Sequence, residues 1–169
     1  MSKVSAIVIL CTALCIPFCA CADLIGVSPM NDPSCTFDRG GTLTYNAADN
    51  TLKMTAWMIG GLIGTRPVVP IGNVTVSINL IVDEAGNAST APGHDFIAIG
   101  AISTDGDAVG DYEGILLSGE IEQFGFLESG SVDKFDFYFT TTGGSMAELF
   151  GPRIGVVITS ERSTFTGSF

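Results

Sequence analysis

Apolar and polar residues alternate along residues 74–82, and this alternation limits the possible fold more than any other feature of the sequence. Five apolar side chains occupy every second position, and three of the positions between them hold Thr, Ser or Asn. Because successive side chains of a strand point to opposite faces, the pattern predicts a half-buried β-strand. Asp83 to Asn87, which are typical turn residues, would end it.

Short segments of the same kind recur through the chain. A turn-forming stretch at residues 46–50 separates two of them and predicts a β-hairpin. In residues 134–140 the side chains of Phe135, Phe137 and Phe139 would share one face, opposite Asp136 and Tyr138. The predicted strands are residues 42–45, 52–57, 74–82, 96–102, 114–118, 120–126, 134–140, 154–159 and 164–169. About nine short strands with glycine-rich turns indicate an all-β domain, a β-sandwich or jelly-roll-like fold.

One short helix is predicted near residues 146–150. Ser145 and Glu148 have the spacing of a capping box, and Gly151-Pro152 follows as a stop signal. We expect this helix to cover one end of the core with Met146, Leu149 and Phe150.

The first 22 residues have the order of a secretory signal peptide: Lys3, an apolar run, and small residues before Asp23. The run is shorter than the roughly 20 residues that a membrane-spanning helix needs. Cleavage after Ala22 would leave residues 23–169 as a single domain, secreted or held in the cell envelope. A lipoprotein acylated at Cys21 is the minor alternative.

Removal of this segment changes the cysteine count and the charge. Four of the five cysteines lie within it, so Cys35 alone remains and no internal disulfide can form. Six Lys and Arg then face 18 Asp and Glu, which gives a net charge of −12. Such a charge repels nucleic acid and anionic membrane surfaces, and we expect neither as a partner.

The acidic residues are concentrated between Arg66 and Lys134, a stretch with eleven acids and no Lys or Arg. Within it, a glycine-rich segment carries four closely spaced carboxylates, those of Asp105, Asp107, Asp111 and Glu113. Calcium prefers oxygen ligands on flexible loops, so these four are the candidate Ca²⁺ ligands. The spacing is not that of an EF-hand, and a solvated acidic loop is the other interpretation.

Catalytic patterns are sparse. Glu120 and Glu122 would share one face of a strand, so they are candidates for the paired carboxylates of a glycoside hydrolase. His94 is the only histidine, no Gly-x-Ser-x-Gly motif is present, and we expect His94 and Asp95 to form the exposed end of a loop. One His and one Cys cannot complete a structural zinc site. The sequence therefore favours a protein that is not an enzyme.

Aromatic residues offer another possible function. Trp57, Tyr45, Tyr112 and Tyr138 could form a platform on which a sugar ring stacks. A single Trp at the end of an apolar strand is more often part of the core, and we expect that placement for Trp57.

The segments at residues 41–48, 115–120 and 135–144 together resemble exported bacterial proteins of unknown function. This resemblance implies export and an all-β fold, and it assigns no catalytic residue. The sequence thus predicts a secreted or cell-surface module with a structural or interaction role, in which calcium stabilises the acidic loop if it binds there. A carbohydrate-binding module is the alternative function, and a small extracellular hydrolase is the third candidate. For these functions the expected partner is an extracellular polysaccharide or protein.

Overall fold

The computed structural model describes residues 23–29, 32–129, 132–161 and 169. The predicted signal peptide and, except for Phe169, the predicted strand at residues 164–169 lie outside them. The described chain forms eight strands and one helix: β1 (Ser34–Asn46), β2 (Thr51–Ile63), β3 (Arg66–Val82), β4 (Ala88–Thr90), β5 (Phe96–Ser103), β6 (Tyr112–Leu127), β7 (Val132–Gly143), α1 (Ala147–Phe150) and β8 (Arg153–Glu161). The all-β prediction is confirmed.

All eight strands belong to one curled antiparallel sheet. Its order is β1-β2-β3-β5-β6-β7-β8, and the short β4 pairs with β3. The predicted hairpin is formed by β1 and β2, and the two strands predicted at residues 114–118 and 120–126 are the single strand β6. Because the sheet curls, one face encloses the core and the other is the outer surface, which gives a sandwich-like cross-section.

The inner face follows the alternation read from the sequence. Val74, Val76, Ile78, Leu80 and Val82 are all buried on β3. The predicted phenylalanine face of β7 is also buried, so period-two patterning placed the core of these two strands correctly.

Two buried side chains outside the strands, Phe169 and Met146, complete the core at separate places. At the upper end, next to the β1–β2 turn, the Phe169 ring contacts the rings of Tyr45, Phe124 and Phe126 at centroid distances of 5.0, 5.5 and 5.1 Å. Met146 is buried beside α1, and its amide donates to the Leu116 carbonyl of β6.

The helix is present where predicted, but its start differs from the predicted capping box. Met146 is the N-cap residue, and no side chain caps the helix. The backbone amides of Ser145 and Met146 donate to the carbonyls of Ile115 and Leu116 instead, at 2.9 Å each. Pairing with β6 therefore fixes this segment, and Leu149, expected in the core, is exposed.

Residues 23–29 cross the outer face of β6, β7 and β8, and we call this segment the clasp. The Asp136 carboxylate accepts hydrogen bonds from the amides of Ile25, Gly26 and Val27 at 3.1, 2.8 and 3.0 Å. Gly26 has φ +80°, and successive amides around such a residue form a concave anion site. Asp136 was expected on the exposed face of its strand, but the clasp covers it and leaves it 3% exposed.

Two glycines of the sheet make room for the clasp. A Cβ on Gly125 would lie 2.5 Å from the amide nitrogen of Ile25, and one on Gly155 would lie 2.9 Å from the Val27 side chain. Beyond the clasp, Asp32 accepts a hydrogen bond from the Gly64 amide at the β2–β3 turn. The clasp thus contacts the edge strand β8 through Val27, and Asp32 contacts the β2–β3 turn, which adjoins the start of the other edge strand, β1.

Candidate functional site

The four candidate calcium ligands lie in the β5–β6 connection and at the start of β6, where three of them hydrogen-bond their own loop. Asp105 accepts from the Asp107 amide and the Ser103 hydroxyl at 3.1 and 3.0 Å, and these bonds lower the pKa of Asp105. Asp107 accepts from the Val109 amide at 2.8 Å. Asp111 accepts from the amide and hydroxyl of Thr104 at 2.6 and 2.7 Å.

These contacts give the loop a fixed shape without a ligand. Among the described residues, no three His, Cys, Asp or Glu side chains are grouped so that they could hold a metal ion. The carboxylates act as acceptors in turns, a role that aspartate commonly has. Calcium binding at Asp105, Asp107, Asp111 and Glu113 stays a prediction, and the melting experiment below addresses it.

Glu120 and Glu122, considered as a hydrolase pair, have separate partners. The Glu122 carboxylate forms a bidentate ion pair with the Arg153 guanidinium, and the hydrogen bond that Nε donates is 2.8 Å long. That guanidinium also lies 4.1 Å above the centre of the Tyr138 ring. Hydrogen bonding to Glu122 raises the pKa of Arg153, as expected for an ion pair.

The Glu120 side chain lies next to the carboxylate of Asp95, which is 0% exposed. Asp95 also accepts from the amides of Ala91 and Ile121 at 2.9 and 2.8 Å. Partial burial and the Asp95 carboxyl raise the pKa of Glu120, whereas the nearby His94 acts in the opposite direction.

The expectation that His94 and Asp95 form the exposed end of a loop is therefore wrong for Asp95. His94 is exposed, but Asp95 is buried because it connects the β4–β5 loop to β6. The structure brings together Asp95 and Glu120, a pair that the sequence analysis did not consider.

The four aromatic candidates do not form one platform. Tyr45, Tyr112 and Tyr138 are half-buried, and the Tyr45 hydroxyl donates to the Val82 carbonyl at 3.2 Å. Trp57 points to the outer face and is 37% exposed, so its expected place in the core is wrong. Its neighbours along the chain explain the difference: Ala56 and Met58 take the inner positions, and Trp57 falls between them.

Trp57 rests on the backbone of β1. A Cβ on Gly40 would lie 2.6 Å from Cζ3 of the indole ring, so only glycine leaves space for the ring. Gly40 also has φ +64°, a conformation that other residues rarely adopt. The Gly40-Gly41 pair, which reads as a loop signal in the sequence, instead supports an exposed aromatic ring.

Trp57 belongs to a row of outward-facing residues that crosses four strands. In the strand register Trp57 pairs with Thr75, Thr75 with Ile99, and Ile99 with Ile115. Ile99 and Ile115 are each 43% exposed, and nearby Ile59 is 50% exposed. We call Trp57, Ile59, Ile99 and Ile115 the outer apolar face.

A shallow depression adjoins Trp57 where the β2–β3 pairing is irregular. It has a volume of about 220 Å³ and is lined by residues that include Trp57, Ile59, Pro70 and Asn73. The exposed Asn73 amide supplies a donor and an acceptor beside the indole ring. Sequence reasoning missed this site because the glycines at 60, 61 and 72 indicate only that the strand pairing is interrupted.

Comparison with known proteins identifies no relative. No family model matches the chain, and neither the curated proteins nor the solved structures contain a match. Within the part of the chain that the structure describes, no helix has the length and apolar character needed to cross a membrane.

Proposed function

We propose that this protein is an exported, non-catalytic binding module that contacts an extracellular polysaccharide through its outer apolar face. The exposed Trp57, backed by glycine and continued by Ile99 and Ile115, carries the proposal. Exposed apolar surface concentrated in one place is typical of an interaction site.

The chemistry of the outer apolar face fits a sugar ring better than a charged ligand. None of its four residues is ionisable, whereas the chain as a whole is strongly acidic. The face of a pyranose ring is lined with C–H groups, which pack against an aromatic or aliphatic side chain, and its hydroxyls bond to amides at the edge. Trp57 and Asn73 offer these two kinds of contact next to each other.

Two arrangements support a non-catalytic role. Glu122 is paired with Arg153, whereas Glu120 lies next to the buried carboxylate of Asp95, so the two glutamates have different neighbours. The Asp95 carboxylate connects the β4–β5 loop to β6, because it accepts the backbone amides of Ala91 and Ile121.

The proposal is tested by adsorption of the purified protein to insoluble cellulose, chitin, xylan and peptidoglycan. We expect retention on at least one of them and loss of that retention in Trp57→Ala and Ile115→Ser. Leu127→Ser is the matched control, because Leu127 is equally exposed on the same strand as Ile115 but lies outside the outer apolar face. Retention that Trp57→Ala leaves unchanged, or no retention on any polymer, would contradict the proposal.

A further inference from the structure

The interior of the curled sheet is filled unevenly. Its upper half contains closely packed rings, among them Phe137 and Phe139 with centroids 5.7 Å apart and Phe126 and Phe135 at 5.1 Å. The side of the interior next to β1 and β8 contains a cavity of about 1060 Å³ that extends outward between these two strands. We call this space the hollow.

The side chains of the central strands account for the hollow. Ala56 and Ala98 flank Val76 in the strand register, so three small or short residues lie side by side on the inner face. Met54, Met58 and Met146 complete this part of the wall. Alanine leaves space that a leucine would fill, and methionine adapts to occupants of different shape.

The apolar wall continues to the surface at the open side of the sheet. Among the described strands none pairs with the free edge of β1 or of β8. Phe37 and Leu43 on β1, and Val156 and Ile158 on β8, point inward but are only half-buried. An occupant entering between these strands would cover apolar side chains that the protein itself covers incompletely.

Charge at the opening restricts the occupant. Among the described side chains that line the hollow, Asp38 and Glu161 are exposed, and Arg153, at the other end of β8 from Glu161, is already paired with Glu122. A carboxylate or phosphate headgroup would meet acidic side chains and an acidic protein. We propose that the hollow binds a neutral long-chain apolar molecule, of the class of long-chain alcohols and related neutral lipids.

This site shares Ile59 with the outer apolar face, but Trp57, Ile99 and Ile115 do not line it, and the proposal does not depend on the proposed function. It is tested with the neutral fluorescent probe N-phenyl-1-naphthylamine, whose emission rises in apolar surroundings. We expect saturable binding to the wild-type protein and displacement by 1-dodecanol below its solubility limit. Dodecanoate, which has the same chain length and a negative charge, should displace the probe about tenfold less effectively.

Two substitutions that fill the hollow connect the binding to its location. Ala98→Leu and, separately, Ala56→Leu should weaken probe binding by about tenfold or more while Tm stays the same or rises. Ala108→Leu makes the same change in the exposed β5–β6 loop and should leave probe binding unchanged.

The wild-type displacement decides the proposal even if both filling variants fold poorly. No saturable probe binding, or no displacement by 1-dodecanol, overturns it. Equal displacement by dodecanoate would overturn the proposed preference for a neutral headgroup. Unchanged probe binding by a folded Ala98→Leu variant would show that the probe binds outside the hollow, and would overturn the proposal. Displacement by an extended apolar peptide but not by the alcohol would show that the opening receives a strand instead.

Discussion

Asp136 should be the most sensitive single position for the attachment of the clasp. Its carboxylate is 3% exposed and accepts three backbone amides, those of Ile25, Gly26 and Val27, at 2.8 to 3.1 Å. Hydrogen bonds to a charged group contribute about 1.5–3 kcal/mol each, so three of them set an upper limit of roughly 9 kcal/mol.

The expected loss is smaller than this limit, because the clasp can detach while the sheet stays folded. Its amides then bond to water and recover part of the energy. We therefore expect Asp136→Ala to lower the free energy of unfolding by about 3 kcal/mol. Asp136→Asn keeps one acceptor oxygen but places an NH₂ group against amide donors, and should lower it by about 2 kcal/mol.

Urea denaturation measures this loss, and amide hydrogen exchange locates it. Exchange at residues 25–27 should accelerate far more than exchange at the buried residues of β3. Asp107→Asn is the control, because Asp107 is exposed and accepts one local amide; its denaturation midpoint should stay unchanged. A loss below about 0.5 kcal/mol for Asp136→Asn, or unchanged exchange at residues 25–27, would refute the role assigned to Asp136.

Three further predictions follow from the described contacts. The pKa of Glu120 is raised in the folded state, so the contribution of Glu120 to stability is complete below the ordinary value of 4.5 and is lost as the pH rises through the raised pKa. The Tm of Glu120→Gln should therefore rise relative to the Tm of the wild type as the pH increases from 4 to 7. Parallel curves of Tm against pH for the two proteins would contradict this. Because the acids of the β5–β6 connection hydrogen-bond their own loop, Tm in Ca²⁺ should equal Tm in chelator, and a clear rise in Ca²⁺ would instead support the predicted metal site. Burial raises the pKa of the Cys35 thiol to about 11. Iodoacetamide at pH 8 should therefore modify Cys35 in a folded chain of residues 23–169 much more slowly than in the same chain in urea, and equal rates would contradict the burial.

Local patterns in the sequence predicted the strands and the core well. The alternation along β3 and the phenylalanine face of β7 depend only on the geometry of a single strand, so they can be read from consecutive residues. The β1–β2 hairpin also follows from local turn residues.

The parts that could not be predicted depend on contacts between distant residues. Asp136 alternates like an exposed residue, and it is buried only because residues more than 100 positions earlier in the chain cross its strand. Asp95 is buried by bonds that reach β6, 26 residues away. The outer apolar face depends on the register of four strands, and the ring of Trp57 lies where Gly40, on the neighbouring strand, leaves room for it.

The emission of Trp57 provides the most direct test of the proposed binding face, because Trp57 is the only tryptophan in the sequence. Soluble oligosaccharides of the polymer that retains the protein should be titrated while this emission is recorded. We predict a saturable change in intensity with a shift to shorter wavelength, as the ligand removes water from the indole ring, and no saccharide binding by Trp57→Ala in calorimetry. Binding of the oligosaccharide with unchanged Trp57 emission would contradict the assignment of the outer apolar face as the binding site.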